Sequence, residues 1–118
     1  MEIQICLSFD AAHRLPCVPS EHKCARLHGH TFHVEFFISG EVSPKYGWVA
    51  DFSDIKKVLR SHVEVLDHAY LNDIDGLINP TCENIAVWLW RRIKFEIQGL
   101  SKITVKESST SAATYTGI

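Results

Sequence analysis

Residues 2 to 10 alternate between apolar and polar side chains. Ile3, Ile5, Leu7 and Phe9 share one parity; Glu2, Gln4, Ser8 and Asp10 share the other. A strict period of two predicts a half-buried strand. The alternation breaks over 14–27, where Pro16 and Pro19 fall, and this predicts a long loop. It resumes at His28, with His30, Phe32, Val34, Phe36 and Ile38 on the same face and Gly29, Thr31, His33, Glu35, Phe37 and Ser39 on the opposite one. After a turn-rich stretch (Gly40, Ser43-Pro44, Gly47), Phe52, Ile55, Leu59, Val63 and Leu66 recur at helical spacing. That is an amphipathic helix, with Asp51 or Ser53 as its N-cap. Residues 67–79 read as a loop rich in Asp, Asn and Gly. Asn79-Pro80 predicts the start of a second helix, with Cys82, Ile85, Ala86, Leu89, Ile93 and Ile97 as its buried stripe and Gly99 as its terminator. Residues 101–107 alternate again, with Ile103 and Val105 inside, and 112–117 predict a last short strand. The order β-β-α-α-β-β, with the helices kept together, predicts an α+β fold: an antiparallel sheet covered on one face.

The chain has 118 residues, 46% hydrophobic and 22% charged, which makes a single domain over 1–118. A net charge of -2 gives no basic field to attract nucleic acid or anionic lipid. No apolar run approaches the roughly 20 residues of a membrane span. The start, MEIQICLSFD, lacks a basic segment followed by an apolar one, so the expected location is the cytoplasm. Cys6, Cys17, Cys24 and Cys82 are then expected as free thiols.

The histidines change the picture. His28 and His30 project from one face of their strand, and if the first strand runs past Phe9, Ala11 and His13 continue its apolar face. Neutral imidazoles buried without partners are costly, and a metal coordinated by their nitrogens removes the penalty. Zinc suits such a ligand set and leaves a position open; iron or another first-row metal also accepts it. His33 has the opposite parity, His62 reads as a core-edge residue of the first helix, and His22 is a loop residue without supporting pattern. Cys24 is flanked by Lys23 and Arg26, cations that stabilise a thiolate. It is either a further metal ligand closing a structural site or a separate reactive thiol. Asp67-His68 opens the loop after the first helix. Neighbours on one strand do not readily bond side chain to side chain, yet both can reach a common thiol, and histidine is the usual proton shuttle. The plainer alternative is a capping Asp beside a surface His. Glu107 shares the inward parity of Ile103 and Val105. An inward carboxylate needs a cation or a two-pronged donor, which means an arginine or a ligand with a guanidine-like edge.

Several segments together resemble the 6-pyruvoyl-tetrahydropterin synthase family: AAHRLP at 11–16, CARLHGH at 24–30, GWVADF at 47–52, LDHAYLND at 66–73, NPTCEN at 79–84 and VKE at 105–107. The three residues between Cys24 and His28 match the carboxy-producing bacterial branch, of queuosine biosynthesis, whereas the pyruvoyl-producing branch has a longer spacing. The resemblance implies the tunnelling fold, a four-stranded antiparallel sheet with two helices on one face that closes into a barrel by homo-oligomerisation, as a hexamer built from two trimers. It implies zinc on His13, His28 and His30, a catalytic Cys24 working with Asp67 and His68 of a neighbouring subunit, and Glu107 anchoring the pterin ring near Thr81 and Glu83. The implied reaction converts 7,8-dihydroneopterin triphosphate to 6-carboxytetrahydropterin, acetaldehyde and triphosphate. Pyruvoyl-tetrahydropterin synthesis and a non-catalytic zinc or pterin-binding module are the alternatives.

Overall fold

Twelve residues of unbroken alternation carry each of the two longest strands, β1 (Glu2–His13) and β2 (His28–Ser39), which pair antiparallel over their whole length. The computed structural model describes residues 1–118. The helices are α1 (Phe52–Leu66) and α2 (Cys82–Ile93), and the remaining strands are β3 (Ala69–Tyr70), β4 (Leu100–Lys106) and β5 (Ala112–Tyr115). The sheet order is β3-β1-β2-β4-β5, antiparallel except where β3 lies parallel to β1. The sheet therefore has five strands, not four. The added strand is the pair Ala69-Tyr70, set against Ala11 and Ala12, within the segment read from sequence as loop. Two residues are too short for any periodicity to register.

One face of the sheet is apolar and both helices pack on it, forming a single buried cluster that includes Phe9, Phe32, Phe36, Leu59, Leu89 and Ile103. Phe9 and Phe32 stack with ring centroids 4.9 Å apart, directly opposite each other in the β1–β2 register. The other face carries the polar parity, including exposed Asp10, Thr31 and His33. Helix α1 is capped by Asp51, whose carboxylate accepts the Ser53 amide at 2.8 Å. Phe52, expected in the buried stripe, is 53% exposed because it stands at the first helical position, beyond the edge of the sheet-facing stripe. His62 is buried between the helices, its ring nitrogens meeting Glu96 at 3.0 Å and Arg92 at 3.2 Å, in keeping with a core role.

Helix α2 starts later than Asn79-Pro80 predicts. Thr81 is the N-cap, its hydroxyl accepting the Asn84 amide at 3.2 Å. A helix beginning at Pro80 would use the Pro80 carbonyl on that amide; here the carbonyl turns to His13 instead. The helix also stops at Ile93, so Ile97 is buried from the turn that follows rather than from the helix. Gly99 closes that turn at φ +91, with its carbonyl accepting the Ser39 amide at 2.8 Å. A side chain there meets both the left-handed backbone and the Ser39 carbonyl. Gly99→Ala is expected to destabilise the fold by more than about 1 kcal/mol. The corresponding fall in Tm, about 4 °C or more, is measurable by circular dichroism; an unchanged Tm contradicts the strained-turn reading.

Candidate metal centre and active site

The β1–β2 register builds the histidine cluster. His13 lies directly opposite His28, and His30 lies opposite Ala11, whose small side chain leaves the His30 ring room to turn toward the others. The three ring centroids stand 4.6, 5.0 and 5.2 Å apart, and one nitrogen from each ring lies within 4.8 Å of the others. Two outer nitrogens are tied to the backbone: His13 Nδ1 to the Pro80 carbonyl at 2.8 Å and His28 Nδ1 to the Arg26 carbonyl at 2.7 Å. A carbonyl only accepts, so both Nδ1 atoms carry a proton, and in the neutral rings both Nε2 atoms are bare. These two Nε2 atoms face each other at 3.0 Å. Opposed lone pairs repel unless a cation lies between them. Backbone carbonyls fixing the tautomer are also the usual outer support of a metal-bound histidine. The donor set fits a metal ion. His13 is almost wholly enclosed, and burial holds its pKa below 6.5, helped by the neighbouring imidazoles and opposed by the Pro80 carbonyl.

Cys24 sits beside this cluster in a 3-10 turn, Lys23–Ala25, within the β1–β2 loop. Its carbonyl accepts the Leu15 amide at 2.8 Å and its amide donates to His22 Nδ1 at 3.0 Å. His22, without a role in the sequence reading, is thus the cap that fixes the thiol-bearing turn. Its place two residues ahead of Cys24 is the spacing of a side-chain cap, which is the signal that could have revealed it. Cys24 lines one depression together with Lys23, His28, His30 and Glu107.

Glu107 stands one residue past the end of β4, with Oε2 3.8 Å from His30 Nε2. The same oxygen accepts the Cys82 thiol at 3.7 Å, a contact the sequence did not show. Burial, reinforced by the Glu107 charge, pushes the Cys82 thiol up to about 12. Thr81, Cys82 and Glu83 border an adjoining depression with His13, Glu107 and Ser111. The Thr81 hydroxyl is committed to its cap, and Glu83 lies exposed in the first turn of α2, where the helix dipole favours an acid.

Asp67 and His68 lie elsewhere. They follow α1; His68 lines a different depression on the β3 side, with Asp10, Gly29 and His30 at its wall, and Asp67 borders the neighbouring one with Arg60 and Glu64. Contrary to the expectation for strand neighbours, their side chains do bond, His68 Nδ1 to Asp67 Oδ2 at 3.0 Å. The reason is that His68 is not extended: its φ is +56, the only non-glycine residue with positive φ. The bond and the Asp67 charge raise the His68 pKa above 6.5. Asp67 is lowered first by the Asp10 amide and then by His68.

A mostly antiparallel sheet backed by two consecutive helices, with imidazoles converging where the β1–β2 loop leaves the sheet, is the layout of a pterin-synthase type of domain. The chain belongs to the 6-pyruvoyl tetrahydropterin synthase family, which it matches over residues 2–118. It is 41% identical to 6-carboxy-5,6,7,8-tetrahydropterin synthase of Synechocystis sp., covering 92% of this chain and 87% of that protein. It is 45% identical to dihydroneopterin monophosphate aldolase of Pyrococcus furiosus, over 81% of this chain and 77% of the other. The structure of Caenorhabditis elegans 6-pyruvoyl tetrahydropterin synthase superimposes with a TM-score of 0.91 at 28% identity, covering 100% of this chain and 96% of that one.

Two outcomes follow from the geometry. A histidine whose pKa is lowered on folding stabilises fully above its unfolded value of 6.5, and that contribution is lost as pH falls below it. Metal-free protein is therefore expected to lose Tm between pH 7.5 and about 5, and bound metal to dissociate over the same range as protons compete for the nitrogens. His13→Asn flattens this dependence; a variant with the parent's pH profile argues against the assignment. Thiol titration at pH 8 is expected to leave Cys82 unmodified in the folded protein and to modify it after denaturation, as peptide mass mapping reads directly. Rapid native-state labelling of Cys82 contradicts its placement against Glu107.

Proposed function

We propose that the protein is a zinc-dependent lyase that converts 7,8-dihydroneopterin triphosphate and water to 6-carboxy-5,6,7,8-tetrahydropterin, acetaldehyde and triphosphate, a step of queuosine biosynthesis. The observation that carries this reading is the gathering of Cys24, His28, His30 and Glu107 around one depression. The 41% identity to the Synechocystis enzyme of that name supports it.

His13, His28 and His30 would hold the zinc through the nitrogens described above. When bound, zinc supplies Lewis acidity, lowering the pKa of an oxygen it holds, to about 7 in the case of water. The chain's own groups do the rest. Glu107 accepts the paired N–H groups of the pterin's guanidine-like edge through its two carboxylate oxygens, which orients the ring. The Cys82 thiol, fixed as a donor, keeps that carboxylate turned toward the pocket. Thr81 and Glu83 border the ring's position. Lys23 places a cation where the phosphates leave. Cys24 moves protons at the side-chain and ring carbons, and His68, oriented by Asp67, exchanges them.

Cys24 and His68 line different depressions of one chain. Acting on one substrate, they come from different subunits. A homo-oligomer that joins the β3 and β5 sheet edges into a barrel, and pairs two such trimers into a hexamer, provides this and covers the open edges. A cytoplasmic site of action suits the four free thiols.

One relative favours a second reading, since the Pyrococcus furiosus protein, 45% identical, is a dihydroneopterin monophosphate aldolase. Product analysis by mass spectrometry separates the possibilities. Acetaldehyde and the carboxypterin from the triphosphate support the lyase; a pyruvoyl product without aldehyde, or cleavage of the monophosphate alone, overturns it. In the same assay Cys24→Ala is expected to retain one zinc per chain while turnover falls about 10²-fold or more. Loss of zinc from that variant favours the binding-module alternative. Glu107→Gln is expected to weaken pterin binding about tenfold or more with zinc content unchanged.

A further inference from the structure

The Asp67–His68 pair is held by more than its own hydrogen bond. The His68 amide donates to the Asp10 carbonyl at 2.6 Å, and the Asp10 amide donates to Asp67 Oδ1 at 3.0 Å. One residue of β1 thus grips both members of the pair through its main chain. Its side chain is also placed: Asp10 Oδ1 accepts the Thr31 hydroxyl at 2.5 Å across the β1–β2 register. A carboxylate oxygen of Asp10, one of Asp67 and a ring nitrogen of His68 all lie within 4.8 Å of one another.

We propose that Asp10, oriented by Thr31, is a positioning residue of the proton-transfer pair, a second carboxylate beside the His68 imidazole that helps to hold it, with Asp67, as a proton donor. The inference rests on the reading of His68 as a proton-transfer residue given above.

Two features set this cluster apart from an ordinary polar patch. His68 is held at φ +56, a conformation costly to a residue with a Cβ, and such strain persists where surrounding contacts over-determine it. Asp67 caps the C-terminal end of α1, whose last turn has no basic residue, where the helix dipole disfavours an acid. Both residues stand where folding alone would not put them, and Asp10 is the residue that bonds to both. With Nδ1 donating to Asp67, Nε2 is the nitrogen left to meet a substrate or a partner group. Asp67 alone would leave the ring free to alternate between donor and acceptor at Nε2. A second carboxylate nearby biases Nε2 to carry its proton. Asp10 adds to the upward shift of the His68 pKa, after the larger effects of Asp67. The other groups around this depression are His30 from β2 and Tyr70 from β3. Neither supplies a negative charge at neutral pH, so the carboxylates of Asp10 and Asp67 set the sign of the field.

The test uses the zinc-loaded protein, so that the charge at His30 is constant, and compares Asp10→Asn, Thr31→Val and Thr31→Ser with the parent. The His68 imidazole is followed by nitrogen-15 NMR through a pH titration, alongside kcat and KM with 7,8-dihydroneopterin triphosphate. Asp10→Asn is expected to lower the His68 midpoint by several tenths of a pH unit or more. It is also expected to shift the alkaline limb of kcat in the same direction. At neutral pH kcat falls roughly tenfold, a fraction of the about 10²–10⁴-fold that a positioned acid or base supplies, with KM little changed. Thr31→Val moves both readouts the same way, and Thr31→Ser, which keeps the hydroxyl, restores them. A parental His68 midpoint in Asp10→Asn, or a change confined to KM, overturns the inference. Full turnover in His68→Ala instead overturns the reading of the pair itself, and the catalytic sense of Asp10 with it.

Discussion

Two imidazole nitrogens, both without protons when their rings are neutral, face each other at 3.0 Å, and the structure around them keeps them there. The backbone carbonyls of Pro80 and Arg26 hold the outer nitrogens, so neither ring can flip its tautomer to relieve the repulsion without breaking a hydrogen bond to the main chain, a buried one in the case of His13. The Pro80 carbonyl is free for this because α2 is capped by Thr81 rather than started at Pro80. Arg26 ends the turn that carries Cys24. The demand of this one pair of imidazoles thus reaches into the start of a helix, the path of a loop and the register of the two longest strands.

That demand was legible in the sequence where it was periodic. Strand parity placed His28 and His30 on one face and, once β1 ran on to His13, all three rings together. The two helices and the inward side of Glu107 were legible for the same reason: repeated spacing over many residues leaves a pattern, and the helical repeat that starts at Phe52 in turn pointed to Asp51 or Ser53 as its cap. The features that escaped were single events. β3 is two residues long, the left-handed turn at His68 is one residue, and the Cys82 thiol meets Glu107 across 25 positions of sequence. Cys82 read as an ordinary core position in the α2 stripe, which it also is; nothing in a helical repeat says that one of its thiols ends on a carboxylate. His22 lacked a pattern because a cap is made by one side chain.

Two kinds of placement divide the candidate site residues of this family member. The imidazoles, Cys24 and Glu107 gather on the inner side of β1 and β2, supported by the core. Asp67 and His68 stand outside it, exposed at the β3 edge and held by main-chain contacts to Asp10. On that inner side burial governs protonation at two positions, lowering the pKa of His13 and raising that of the adjoining Cys82. The second group has its chemistry set by adjacent charge, as His68 shows. A group tuned by charge rather than burial works at a surface, and it gains its full effect when another surface covers it.

The loop between β1 and β2 begins beside His13 and ends at His28, with Cys24 on it. An ion gripping both flanking rings would act as a clasp at the neck of that loop, shortening the span over which residues 14–27 can wander. Filling the clasp and presenting the thiol would then be one event, and a chain without an ion there would hold Cys24 on a slack tether.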